Sequence, residues 1–380
     1  MSTRFVPALV LASASLALAH PASRDPAPVA QVGGKHRFRV QSTDDPRHVI
    51  LQGVADAEGG YDSVNLWDSA VVSFGIGQWT LIHGKLQDFL AYVRANHPRT
   101  FRRVFVRGVG VDLPAQRRAK DTRLVVGGRT LRKSRGTAHD VVWREFEEVF
   151  RPGGLGRPFR ERDDSPGAQA WVRRWRAAGR DPVVQQCQYE FKTAELFTRF
   201  FRHRVRVTAK RKYPSMFSDP ALRPAAGDYG PMHQVVGGDL WLQTLVYSLY
   251  VNAPYMATCL VAGAIQEVAA ARGWQPKVST WPARSLWRAD LVAAIERATR
   301  ACTYRATRRG GRPFRPWRDS RLPKALRAYQ RLSGDASATR DQASFPGVEF
   351  DASGKPTGPR NAVQGYARIV AKLQQAGLPD

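Results

Sequence analysis

Glu58 is the side chain in this sequence best placed to move a proton. It closes a stretch that reads as a helix. Asp45 suits the N-cap, and Pro46 suits the first turn because its missing N–H would have no partner there. Gly59-Gly60 supply the stop, since glycine tolerates the left-handed turn that ends helices. Between them Ile50, Val54 and Glu58 recur at i, i+4 and i+8, with Leu51 and Ala55 alongside, which puts the carboxyl on the apolar face. Burial disfavours the charged carboxylate, and the negative end of the helix dipole disfavours it further. Both raise its pKa toward what a general acid needs near neutral pH. Taken alone, an acid near a helix end more often turns to water. The residues that follow shift that balance.

Asp62 to Trp67 and Ala70 to Gly75 have the composition of two short strands turning at Asp68-Ser69. Gly75 and Gly77 allow close backbone approach. After Gln78 a helical pattern resumes, with Trp79, Ile82, Leu86, Phe89, Leu90 and Val93 on one face. Here the chain resembles the lysozyme superfamily, in particular the lytic transglycosylases and goose-type lysozymes. Their motif is a catalytic Glu closing a helix, a short hairpin, then a Ser and a Gly-Leu-Met-Gln segment opening the next helix. Glu58 matches the catalytic Glu, Ser73 the serine, and Gly75-Ile76-Gly77-Gln78 the Gly-Leu-Met-Gln. Two positions depart from the pattern: Gly59 follows the acid where the transglycosylases usually carry Ser, and Gly77 stands where they have Met. The resemblance covers about residues 46–95. It implies a mainly α (α+β), two-lobed helical fold with a small β-hairpin at the cleft. It also implies cleavage of β-1,4 glycan strands of peptidoglycan, with Glu58 as acid. Tyr61, Asp62, Trp67, Ser73, Gly75 and Gln78 are then the expected substrate-binding residues.

A second resemblance points to a different scheme. Chitosanases carry Asp-Gly-Arg-Gly-x-Thr-x-Gly-Ile, with the Asp as general base. Asp68 lies seven residues before Gly75, the same offset, with Ser73 at the Thr position, but the Gly-Arg-Gly is absent. Two carboxylates flanking a glycosidic bond would activate water, and their separation would decide between inversion and retention. A single acid fits a transglycosylase, in which the sugar's own 6-hydroxyl closes on the anomeric carbon. Asp68 is equally explained as a turn former, because Asp bonds its own backbone in such turns. A third reading keeps the fold without chemistry, as a non-catalytic cell-wall binding protein.

The ends and the charge bound where this happens. Arg4, the apolar run Phe5–Leu18 and Ala17-Leu18-Ala19 read as a secretory signal over residues 1–19, cut after Ala19, so the expected location is secreted or periplasmic. Removing it lowers the net charge from +27 to +26. Export argues against a nucleic-acid partner despite that charge. Arginine supplies the excess, 48 against 11 lysines, and the segment Arg99 to Arg135 holds twelve cations against Asp112 and Asp121. Such a field concentrates the protein on polyanions. Bacterial wall is polyanionic and chitosan polycationic, so charge favours peptidoglycan. Cleavage would leave His20 first, as in copper-dependent oxidative polysaccharide-cleaving enzymes. Those are β-sandwiches, whereas this chain reads helical; no metal or cofactor is expected. Of the three cysteines, Cys259 lies in an apolar run, which leaves Cys187–Cys302 as the expected bridge.

The elements that must carry the site read as follows. Residues 20–44 form a Pro/Ala-rich linker, 45–333 a catalytic domain with a helical second lobe, and 334–380 a loose segment with a last helix. Helical patterns fall at about 138–150, 168–178, 183–201, 240–272, 286–302, 323–332 and 362–375, with a hairpin around Gly127-Gly128. Leu240 to Gln266 carries no charge, but Gln243, Ser248 and Asn252 interrupt it and Pro254 divides it into pieces shorter than a bilayer needs. A buried helix pair is expected there, with no integral span after signal removal. Trp67, in the hairpin, is the tryptophan expected in the cleft; Glu190 and Glu195 are read as solvated or salt-bridged.

Overall fold

The computed structural model describes residues 50–51, 60–66, 71–116, 121–131, 149–150, 166–208, 224–237, 239–252, 254–301, 349–350, 356–357, 371–372 and 374–376. Within them the protein is mainly α, with eight α-helices and four small antiparallel sheets. Two hydrophobic clusters organise it, and one helix is built into both.

The first cluster forms around a three-stranded sheet. β1 (Val64–Asn65), β2 (Ser73–Phe74) and β3 (Trp79–Thr80) pair in that order, with Val64 opposite Phe74 and Phe74 opposite Trp79. α1 (Lys85–Asn96), α2 (Pro98–Phe101, continued by π-helical turns Arg102–Val109) and α3 (Pro166–Arg180) close over it. Phe74 is the knot: its ring lies 5.0 Å from Trp175, 6.1 Å from Phe89 and 6.5 Å from Phe105. Trp79 stacks on Phe89 at 4.5 Å and 11°. Tilted and stacked pairs of this kind add to the area buried by each ring.

α4 (Pro182–Glu195, continued by π-helical turns Leu196–Phe200) is the shared wall. Asp181 caps it, accepting from the backbone N–H groups of Val183 and Val184, with Pro182 in the first turn. Val184, Cys187, Phe191 and Ala194 belong to the first cluster, Tyr189, Leu196 and Phe200 to the second. The second cluster adds the ribbon β7 (Arg204–Val207) and β8 (Gly227–Pro231), then α5 (Met232–Val236), α6 (Leu240–Asn252), α7 (Pro254–Arg272) and α8 (Arg288–Ala301).

The uncharged run divides into α6 and α7 around Pro254, as its proline required. α7 carries buried Ala257, Cys259, Ala262 and Ala264, packed by α6, α8 and β7. A helix apolar all round belongs in a core. Among the described residues no helix is long and apolar enough to cross a membrane. The expected hairpin at Gly127-Gly128 is present, joining β5 (Leu124–Val126) to β6 (Arg129–Leu131), with β4 (Val111–Asp112) alongside. Both glycines have positive φ, 55° and 80°, the twist a two-residue hairpin needs. β9 (Glu349–Phe350) pairs with β10 (Pro356–Thr357). Near the C-terminus Lys372 donates to Glu190 at 2.7 Å, and its carbonyl accepts from Asn96.

Two expectations need correction. The helix expected directly after Gln78 starts only at Lys85. Trp79-Thr80 form a third strand instead, because Gln78 (φ 43°) and Gly84 (φ 74°) both take left-handed backbone that no helix continues through. Cys187 is a free thiol buried in the first cluster, so the Cys187–Cys302 bridge does not form. Cys302, the linker, the signal and the pattern at 323–332 lie outside the described residues.

Candidate functional site

Tyr61, Asp62, Ser73, Gly75 and Gln78 are described and come together at one corner of the first cluster, while Glu58, Trp67 and Asp68 lie outside the described residues. The corner is built by backbone turns locked with side chains. Ser63 N–H donates to the Gly60 carbonyl at 3.0 Å, and Gly75 N–H to the Ser63 carbonyl at 2.8 Å, which ties the start of β1 to the end of β2. Gln78 then folds back: its backbone N–H donates to the Gly75 carbonyl at 3.0 Å. Its side-chain amide donates to that carbonyl at 3.0 Å and to Ser63 Oγ at 3.1 Å.

Two non-glycine residues bracket β2 in left-handed backbone, Val71 at φ 65° and Gln78 at φ 43°. Each such residue costs on the order of 1–3 kcal/mol and persists only where its surroundings over-determine it. Val71 is fully buried, and Gln78 is held by the three hydrogen bonds just named.

A residue that sequence reasoning passed over holds the corner together. Gln188, on α4 and fully buried, accepts from Ile76 N–H through Oε1 at 3.0 Å and donates from Nε2 to the Tyr61 carbonyl at 2.8 Å. One amide thus staples the two segments that carry the expected site residues. Gly75 has to be glycine twice over: its φ is 71°, and a Cβ would fall 2.1 Å from Gln188 Oε1. Gly179 on α3 does the same for the other segment, since a Cβ there would meet the Tyr61 carbonyl oxygen at 2.4 Å.

Gly77, the departure from the transglycosylase pattern, also has a local cause. The Trp79 indole lies against it, so a Cβ would come within 2.3 Å of the ring. That ring reaches on to Glu195 at the C-terminal end of α4, donating Nε1–H to Oε2 at 2.9 Å. Lys85 meets Oε1 at 3.1 Å, Lys192 meets Oε2 at 3.4 Å, and Arg199 approaches Oε1 at 3.5 Å. Glu195 and Glu190 are therefore both salt-bridged, within the expectation for them.

The individual residues divide by exposure. Ser73 is buried, which suits it to holding β2 rather than reaching a ligand. Asp62 is half-exposed and pairs with Arg180 at 2.8 Å. Tyr61 is partly buried and packs against both clusters, and burial raises its phenol well above the ordinary range. Trp79, Trp171, Trp175, Trp241, Trp281 and Trp287 are all core residues, so no described tryptophan among them offers a face for sugar stacking.

Compared with known proteins, the chain matches no family model, no curated protein and no solved structure.

Proposed function

We propose that the protein is a secreted, lysozyme-like enzyme that cleaves the β-1,4 glycan strands of bacterial peptidoglycan, with Glu58 as general acid. The observation that carries this reading is the pinned corner. A serine strand and a Gly-x-Gly-Gln turn are folded back on Tyr61 and Ser63, three and five residues along the sequence from Glu58. They are fixed there by Gln188, by the hydrogen bonds of Gln78 and by left-handed backbone at Val71 and Gln78. A plain surface hairpin has no need of that much constraint. Pre-organisation of this kind is what a reacting centre requires.

In this scheme Glu58 protonates the glycosidic oxygen as the C1–O bond breaks. The sugar's 6-hydroxyl then attacks C1, returns its proton to the Glu58 carboxylate and leaves a 1,6-anhydro end. Ser73 and Gln78 keep the turn in register with the acid, and the arginine-rich charge holds the enzyme on the anionic wall. Attack by water activated at Asp68 would instead leave ordinary reducing ends.

Digestion of purified sacculi separates the two. Wild type is expected to give anhydro-ended muropeptides by mass spectrometry, and Asp68→Asn is expected to keep appreciable turnover with the same products. Reducing-end products together with an inactive, folded Asp68→Asn protein would transfer the assignment to the water-attacking, chitosanase-like scheme. No cleavage of any glycan would leave a binding protein.

A further inference from the structure

The three cations on Glu195 outnumber it. Its two oxygens accept from Trp79, Lys85 and Lys192, with Arg199 3.5 Å from Oε1, which occupies most of the roughly four acceptor sites a carboxylate has. Among the described residues the cations are far from filled: each ammonium carries three N–H donors and a guanidinium five. Lys192 is 5% exposed, and its ammonium lies 5.6 Å from the centre of the Tyr247 ring. Tyr247 is fully enclosed, its hydroxyl has no hydrogen-bond partner among the described residues, and the charges of Glu195 and Arg199 bear on it directly. Lys85 and Arg199 keep 25% and 35% of their side chains exposed, so both reach solvent. Trp79 ties this cluster to the Gly75–Gln78 turn, because the indole edge that donates to Glu195 is the one lying against Gly77.

We propose that Lys85 and Arg199, backed by Lys192 and oriented by Glu195, form a binding subsite for a carboxylate carried by the glycan, such as the lactyl carboxylate of a muramic-acid residue that bears no stem peptide. Glu195 pre-orients the cations and fixes their spacing, and an incoming carboxylate takes the donors Glu195 leaves over. A neutral amino sugar offers nothing to this cluster, so the subsite selects muramic-type over unsubstituted chains. The assignment rests on the proposed glycan reading only for the identity of the group that bears the carboxylate.

The Trp79 indole N–H, hydrogen-bonded to Glu195, is a built-in reporter. Its NMR resonance, identified by its loss in Trp79→Phe, would be followed while the full chain is titrated with sodium N-acetylmuramate, N-acetylglucosamine and sodium acetate. Saturable movement with muramate, weaker movement with acetate and none with the neutral sugar is expected. Lys85→Met and Arg199→Gln should each weaken the muramate titration about tenfold, the scale of one charge-assisted hydrogen bond. Equal affinity for muramate and acetate would uphold a carboxylate subsite and overturn its glycan assignment. An indole that no carboxylate moves in wild type would overturn the subsite itself, whatever turnover on sacculi proves to be. So would a titration equally strong in both variants.

Discussion

Replacing Glu58 by glutamine should abolish glycan cleavage and leave the fold intact. The amide keeps the shape of the carboxyl and most of its hydrogen bonding, but it has no proton to give to the leaving oxygen. General acid catalysis contributes on the order of 10²- to 10⁴-fold, so turnover on sacculi should fall into that range or below detection. The thermal midpoint should stay close to wild type, since the substitution is nearly isosteric. Release of muropeptides by the purified variant, measured beside its unfolding curve, decides the matter. A Glu58→Gln protein that keeps most of its activity would remove the acid from this position and with it the lysozyme-like scheme.

A second large effect is expected at Gln188. Substitution by leucine retains much of the volume but withdraws both ends of the staple. Ile76 N–H then loses its acceptor in a buried place, and the part-buried Tyr61 carbonyl loses a donor. A buried polar group left unpaired costs about 1–3 kcal/mol and a part-buried hydrogen bond about 1 kcal/mol, so the loss is roughly 2–4 kcal/mol, a large part of the 5–15 kcal/mol by which a typical domain is stable. Gln188→Glu keeps an acceptor for Ile76 but sets an ionisable carboxyl against the Tyr61 carbonyl in a buried place, so its destabilisation should grow as pH rises through the carboxyl's titration. Denaturant midpoints at unchanged slope would measure both. Gln188→Leu should also lose turnover under conditions where it remains folded, because the Gly75–Gln78 turn is no longer fixed against Tyr61. A leucine variant of wild-type stability and activity would show that the staple is ornamental.

What could be read from the chain, and what could not, follows from the range of the forces involved. The hairpin at Gly127-Gly128 and the break at Pro254 were legible because glycine and proline act on their own backbone. The paired strands around Val64 and Phe74 were legible in outline, although only two residues of each keep the ladder. The third strand at Trp79-Thr80 was hidden, since two residues carry no period and the apolar spacing running on into α1 mimics a helix. Gln188 bonds to two positions each more than a hundred residues away from it, and nothing local announces that. A signal for it did exist. Val184, Gln188, Phe191 and Glu195 fall on one face of α4, so two polar side chains interrupt an apolar stripe. Polar residues on such a stripe need partners, and both of these have them in the candidate site.

The two free thiols give the protein an internal clock. Cys187 sits at zero exposure in the first cluster and Cys259 at zero exposure in the second, and burial pushes the Cys187 thiol well above its ordinary range. Neither reacts with an alkylating reagent until its own surroundings open, so each labelling rate reports an opening free energy for one half of the molecule. With Cys302 replaced by serine the two rates can be read by mass spectrometry of separate peptides. Because α4 gives one face to each cluster, opening either half strips the helix of a wall the other half needs. The two sites should therefore label with a common free energy as denaturant is added, the signature of a single cooperative unit.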